Sequence, residues 1–231
     1  MILDAFRLDK KIAIVTGAGK GIGKDIAISF GEMGASVVCV ARSIEDIEDT
    51  AEQIRSFGSS ALAVVCDVTK EEQLKNLVDQ VLKEFKGIDI LINNAGAPGR
   101  GWGPIEEVDM SRFEHTLRIN LTSAYTLTHL CTPALRDSGG TIVNVSSALS
   151  WMVEKNFSSY AVAKAGMNQM TKVSPMSFPP VFELMLSHQV LLKPRAWNTL
   201  PVTQNVKLKL SAGFLFNGWA NQGILPLEYF I

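Results

Sequence analysis

Tyr160 and Lys164 stand four residues apart in the run Tyr-Ala-Val-Ala-Lys, so on a helix they share a face, with side-chain bases about 5 to 6 Å apart. A phenol with an ordinary pKa of about 10 is a weak acid at neutral pH, and an ammonium beside it favours the phenolate. Such a pair can give a proton to an oxygen, or take one from it, as a bond forms on the neighbouring carbon. Reduction of a carbonyl by hydride needs that acid, and oxidation of the alcohol needs the matching base. Upstream, Ser147 ends the run Ile-Val-Asn-Val-Ser-Ser, and Asn120 lies in a long segment of helical spacing. Ser146 rivals Ser147, but neighbouring strand residues point to opposite faces, so only one of the two can join Tyr160.

A second chemistry is written at Thr16-Gly-Ala-Gly-Lys-Gly-Ile-Gly23, which follows an apolar run and opens a helical segment. In that setting a Gly-rich turn presents backbone N–H groups and a helix N-terminus to a pyrophosphate. The cradle consists of Gly17, Lys20, Gly21, Ile22 and Gly23. An acidic residue after the second apolar run would bind the ribose 2'-hydroxyl of NAD. Arg42 stands there instead, after Val40 and Ala41, and offers a planar cation to a 2'-phosphate. Lys20 adds a second positive charge, so the expected cofactor is NADP(H); the alternative is that Arg42 is a solvated loop charge, and Glu45 is close. Asp67 and Val68 follow the third run, and Asn93, Asn94, Ala95 and Gly96 the fourth. Each taken singly is ordinary turn chemistry.

The elements that must position these groups follow from hydrophobic patterning. Lys11 to Val15, Ser36 to Ala41, Ala61 to Cys66, Ile88 to Ile92 and Thr141 to Ser146 are apolar runs of strand length. Between them, helical spacing runs over Ile22 to Met33, Ile44 to Phe57, Glu71 to Phe85, Ser111 to Leu135 and Ser158 to Thr171, with Ser43 and Thr69 as N-caps. This alternation predicts an α/β fold: a Rossmann-like doubly wound parallel sheet flanked by helices, with its ligand crevice at the carboxyl ends of the strands.

The 231 residues carry 22 basic and 23 acidic side chains, which leaves no electrostatic footprint for nucleic acid or an anionic membrane. A small-molecule partner is expected. The mean hydropathy is +0.16, yet no apolar run approaches a membrane span, and the N-terminal MILDAFRLDKK has no signal-peptide character. Cys39, Cys66 and Cys131 sit in apolar stretches without a CxxC, and read as buried thiols of a cytoplasmic protein. His115, His129 and His188 show no ligand spacing, and no metal is expected.

Over its first 172 residues the chain resembles the short-chain dehydrogenase/reductase family. The resemblance rests on the T-G-x-x-x-G-x-G loop, Asp67-Val68, the N-N-A-G run ending at Gly96, and Asn120, Ser147, Tyr160 and Lys164 in family spacing. Chance explains a lone YxxxK; it is a poor account of four residues in register behind these motifs. The resemblance implies an oxidoreductase interconverting a secondary alcohol and a ketone, with catalytic residues Asn120, Ser147, Tyr160 and Lys164. It makes Ser147 a donor to the substrate oxygen, has Asn120 hold a water in the proton path, and has Lys164 hold the nicotinamide ribose. Asp67 and Val68 would border the adenine, and Asn94, Ala95 and Gly96 would meet its ribose. Implied substrates include 3-oxoacyl thioesters and steroid or sugar ketones, with Trp102, Trp151, Met152 and Phe157 available to line an apolar pocket. Family members are usually homotetramers.

After Lys172 the resemblance stops. The family would enter a sixth strand reading R-V-N and turn at a Pro-Gly; this chain has Pro175, Pro179 and Pro180 instead. Regrouping the codons by one base restores the motif. Each new triplet takes the last base of one codon and the first two of the next. From Phe182 to Val190 the shifted frame permits Arg-Val-Asn-Ala-Ile-Ala-Pro-Gly, and from Asn217 to Pro226 it permits the family's later R-x-G-x-P segment. The expected organisation is therefore an NADP-binding domain over 1–172 and a non-family, out-of-frame segment over 173–231, with the last strands of the sheet disrupted or absent and the tetramer surfaces lost.

Overall fold

A computed structural model describes residues 6–173 and, for its backbone, Val181–Leu184. β-Branched runs form the strands β1 (Ile12–Thr16), β2 (Ser36–Ala41), β3 (Ala61–Val65), β4 (Ile90–Asn93) and β5 (Thr141–Val145). The crossovers carry α1 (Gly21–Glu32), α2 (Ile44–Ser56), α3 (Glu71–Phe85), α4 (Met110–Leu117) and α5 (Ser123–Ser138), and α6 (Ser158–Val173) follows β5. The sheet is parallel throughout, in the order β3-β2-β1-β4-β5-β6. Strand order reverses between β1 and β4, the point where a doubly wound sheet opens a crevice for a ligand.

Both faces are covered, which explains why the strands read as nearly unbroken apolar runs. Ile14, Val38 and Val40 pack with Leu74, Leu77 and Val81 of α3 and Leu127 and Leu135 of α5. Their strand neighbours Val15, Val37 and Cys39 turn the other way, onto Ile26 of α1 and Ile47 and Ile54 of α2. Burial of each such aliphatic side chain is worth about 1.5 to 3 kcal/mol. Cys39, Cys66 and Cys131 are all free and buried, and burial pushes their thiols up to about 12, 11 and 12. No helix among the described residues is long and apolar enough to cross a membrane.

Three details depart from expectation. Ser43 caps α2 by accepting from the Asp46 amide at 3.4 Å, but Thr69 caps nothing: its amide and hydroxyl both turn back to Asp67 Oδ1, and Lys70 takes the N-cap position of α3. An aspartate two residues upstream offers Thr69 a closed turn, which competes with capping. The single helix expected from Ser111 to Leu135 is interrupted by a π turn over Arg118–Thr122, where the Ser123 amide reaches back five residues to the Arg118 carbonyl. The sheet also continues past β5, because β6 (Val181–Leu184) pairs in parallel with it, Ile142 opposite Val181 and Val145 opposite Leu184. Residues 174–180 and 185–231, which include His188 and any seventh strand, lie outside the described residues.

Candidate active site

Every strand that borders the crevice carries one of the candidate segments at its carboxyl end. Thr16, the last residue of β1, is a hub. Its hydroxyl donates to the Ile92 carbonyl at 3.0 Å and accepts from the Asn94 and Ala95 amides, each at 3.0 Å. Asn94 returns the contact by donating to the Thr16 carbonyl at 2.8 Å. The glycine loop is thereby locked to the segment after β4. Glycine is required here on steric grounds: a β-carbon at Gly23 would stand 2.2 Å from the Gly17 carbonyl oxygen and 2.3 Å from Asn94 Nδ2. Gly17 also has φ +68°, where a side chain strains the backbone. Lys20 occupies the N-cap of α1 in extended conformation and gives no side-chain cap, and the first turn holds no acidic residue. The first turn of α1 therefore offers its N–H groups with no carboxylate of its own helix to occupy them, an arrangement that fits a pyrophosphate.

The cation set is less open than its sequence implies. Arg42, just past β2, is exposed and lies near Asp67. Burial raises the Asp67 carboxyl, but hydrogen bonds from Thr69 and the Arg42 charge outweigh that and hold it below the usual carboxylate value. Lys20 is paired with Asp46 at 3.0 Å, and this hydrogen bond holds the Asp46 carboxyl below its ordinary value. Asp46 is an acidic neighbour that linear reading missed, since it belongs to α2 and meets the loop only in the folded chain. Val68 is half-buried beside the core cluster of α3.

The proposed chemical groups converge from three elements. Tyr160 and Lys164 project from α6, Ser147 ends the β5 segment, and Asn120 comes from the π turn; all four are at most 6% exposed. The Ser147 hydroxyl lies beside the Tyr160 phenol, close enough to favour its ionised form, and accepts from the Leu149 amide at 3.2 Å. Ser146 points elsewhere and donates to Asn168 Oδ1, which separates the two serines as strand alternation requires. Lys164 Nζ donates to the Val145 carbonyl at 2.8 Å and lies 5.7 Å from the centre of the Tyr160 ring. Burial drives the Lys164 ammonium down to about 8.

Tyr160 differs from the sequence-based expectation. Its phenol lies above the ordinary value because burial outweighs the opposing influence of the neighbouring Ser147 hydroxyl. Lys164 is itself desolvated and turned toward a backbone carbonyl, so its charge does little for the phenolate in this geometry.

Asn120 is fully buried. Its Nδ2 donates to the Ala97 carbonyl at 2.7 Å and the Thr116 carbonyl at 2.9 Å, while Oδ1 is the one buried side-chain polar atom without a partner among the described residues. Asn120 lies within the π turn, where the regular helical ladder is interrupted. A β-carbon at Gly96 would lie 2.5 Å from that oxygen and 3.5 Å from Lys164 Nζ, so both atoms face the space that the glycine leaves open.

Two positioning features were invisible in the linear sequence. A buried amide chain crosses the sheet: Asn93 Nδ2 donates to Asn144 Oδ1 at 2.9 Å and to Thr128 at 3.1 Å, and Asn144 donates to Thr171 of α6 at 2.9 Å. The loop after β4 is pinned by Arg112, whose guanidinium donates to the carbonyls of Arg100, Trp102 and Glu107 at 2.6 to 2.8 Å. Trp102, Trp151 and Met152 are each about half exposed or more, whereas Phe157 meets the Tyr160 ring edge-on at 6.5 Å.

Comparison with known proteins agrees with this geometry. The family model for short chain dehydrogenases matches residues 11–179. The 7alpha-hydroxysteroid dehydrogenase of Escherichia coli is 36% identical over 170 residues, which cover 73% of this chain and 66% of that enzyme. A solved 7α-hydroxysteroid dehydrogenase complexed with NADH and 7-oxo glycochenodeoxycholic acid superposes with a TM-score of 0.73 at 33% identity, over 80% of this chain and 72% of that one. A metagenomic short-chain oxidoreductase in complex with NADP gives a TM-score of 0.72 at 28% identity, over 78% and 82%. The chain spans roughly half to two thirds of the length of the curated relatives it matches. With the loop, the strand order and the match all in agreement, the chain belongs to the short-chain dehydrogenase family.

Proposed function

We propose that the chain is an NADP(H)-dependent oxidoreductase that interconverts a secondary alcohol and a ketone, with Tyr160 as the acid/base. The observation that carries this reading is the convergence of the Tyr160 phenol, the Ser147 hydroxyl and Lys164 at the carboxyl end of β5. Gly17, Lys20, Gly21, Ile22 and Gly23 would hold the pyrophosphate, Arg42 the 2'-phosphate, Asp67 and Val68 the adenine, and Asn94, Ala95 and Gly96 its ribose. The nicotinamide, when bound, supplies or accepts the hydride. Tyr160 passes its proton to the substrate oxygen as charge develops there, and Ser147 donates to the same oxygen. A phenol held in its neutral form by burial retains the proton that reduction needs. The orphan Oδ1 of Asn120, facing the same space as Lys164 Nζ, is suited to hold the water that returns the proton.

The test is NADPH oxidation over a panel of ketones, with Tyr160→Phe alongside. That variant is expected to bind NADPH nearly as well as the parent and to turn nothing over; retained activity removes Tyr160 from its role. NADPH should bind more tightly than NADH, and Arg42→Asp should reverse the preference. An unchanged ratio would reassign the nucleotide. NADP and NADH are each held by a structural neighbour, and the Lys20–Asp46 pair works against full use of Lys20.

A second reading, an impaired nucleotide-binding protein, is favoured by one observation: the family match ends at residue 179 of 231. On this reading residues 1–172 form the NADP-binding domain and 173–231 are translated out of frame. Sequencing the coding DNA decides the frame, since codons incompatible with the shifted motifs refute it. NADPH binding without turnover in this chain, together with turnover in a frame-restored chain, identifies the second reading.

A further inference from the structure

Four successive residues at the end of β5 are each tied to α6. Asn144 donates to Thr171, the Val145 carbonyl accepts from Lys164, Ser146 donates to Asn168, and Ser147 meets Tyr160. Three of these ties involve a proposed catalytic side chain or a buried amide network. The fourth, through Asn168, has a different form. Asn168 lies one turn beyond Lys164 and two beyond Tyr160, and its amide is a fork. Oδ1 accepts from the Ser146 hydroxyl, and Nδ2 donates to the Ser150 hydroxyl at 2.7 Å.

Between those two serines runs the short turn that carries Ser147. Its Ser150 amide donates to the Ser147 carbonyl at 3.0 Å, and its Leu149 amide donates to the Ser147 hydroxyl at 3.2 Å. We infer that Asn168 is a positioning residue, which clamps both ends of the Ser146–Ser150 turn to α6 and so fixes the Ser147 hydroxyl against the Tyr160 phenol. This inference rests on the catalytic reading of Ser147 and Tyr160. The physical basis is registry. Tyr160 and Ser147 come from different elements, and a hydrogen bond between them needs both held to within a few tenths of an ångström. Asn168 is half-buried and is surrounded by partners of its own polarity, so its fork aligns the two elements next to the reacting groups.

The test compares the full chain with Asn168→Leu, Ser146→Ala and Ser150→Ala. Asn168→Leu has nearly the same shape and lacks both arms; Ser150→Ala severs only one and is the milder change if the first variant does not fold. The expected result for Asn168→Leu is a kcat lowered about tenfold with the KM for NADPH unchanged, equivalent to about 1.4 kcal/mol of transition-state stabilisation. Ser146→Ala should cost less, and should cost nothing further in the Asn168→Leu background.

A readout independent of turnover is the ultraviolet titration of Tyr160, resolved from the other two tyrosines by subtracting the Tyr160→Phe curve. Loss of the clamp should loosen the Ser147 contact and move that titration to higher pH; Ser150→Ala should move it part of the way. An unmoved titration in both Asn168→Leu and Ser150→Ala overturns the inference, as does additivity of Ser146→Ala with Asn168→Leu. If Tyr160→Phe remains active, the catalytic reading falls; if it is inactive while Asn168→Leu behaves as the parent, the positioning role alone falls.

Discussion

Lys164 offers a test that needs no substrate. Its ammonium is 3% exposed, and desolvation drives its pKa from 10.5 down to about 8. The unfolded chain therefore binds this proton more tightly than the folded one. Between about pH 8 and 10.5 the unfolded state carries more protons, and the stability contributed by this site rises with pH across that window. Relative to pH 7, the gain is about 1.4 kcal/mol at pH 9 and about 2.5 kcal/mol at pH 10.

Other groups act in the opposite sense. The thiols of Cys39, Cys66 and Cys131 and the Tyr160 phenol all have raised values when folded, so each loses stability as the unfolded chain begins to ionise. Those contributions are common to the parent and Lys164→Met, and cancel in their difference. Urea unfolding of both proteins at about pH 7, 8 and 9, followed by tryptophan fluorescence, isolates the lysine. The parent should gain about 1.4 kcal/mol on Lys164→Met between pH 7 and 9; a gain below about 0.3 kcal/mol would mean that the ammonium is solvated and that the burial argument is wrong.

Two further outcomes follow from geometry. Gly23→Ala puts a methyl 2.2 Å from the Gly17 carbonyl oxygen, so it should abolish NADPH binding in calorimetry and cost about 1 to 3 kcal/mol in urea unfolding; binding within twofold of the parent would disprove the close-approach argument. Asn144→Leu leaves the Asn93 amide and the Thr171 hydroxyl short of a partner, and should lower stability by about 2 to 3 kcal/mol by the same assay. A change under about 0.5 kcal/mol would show that the amide chain is dispensable.

Much of the architecture was legible because parallel strands covered on both faces write themselves as apolar runs. Ser36–Ala41 and Glu71–Phe85 have the expected limits, and each of the other strands differs at one or both ends by one or two residues. The Thr69 turn, the π turn and the Lys20–Asp46 pair were not legible, for a shared reason. Each depends on competition among partners, and spacing identifies a candidate partner without ranking it. Asn168 and Thr171 were likewise overlooked because polar residues on an amphipathic helix read as solvated, although they continue the face of Tyr160 and Lys164 along β5. β6 forms just beyond three prolines that were expected to break any helix early. Val181–Leu184 lies beyond Pro180, and parallel pairing asks only for free backbone groups and an apolar edge to meet.

The three free thiols make the two halves of the core separately observable. Cys39 is packed with α1 and α2, whereas Cys66 and Cys131 are packed with α3 and α5. With folded values of about 11 to 12, none presents an appreciable thiolate at neutral pH, so a disulfide reagent reacts only after its layer has opened. The rate at which each cysteine is labelled is then a clock for the opening of its own side of the sheet. A single native-state labelling experiment tells whether the α1–α2 and α3–α5 layers breathe together or apart.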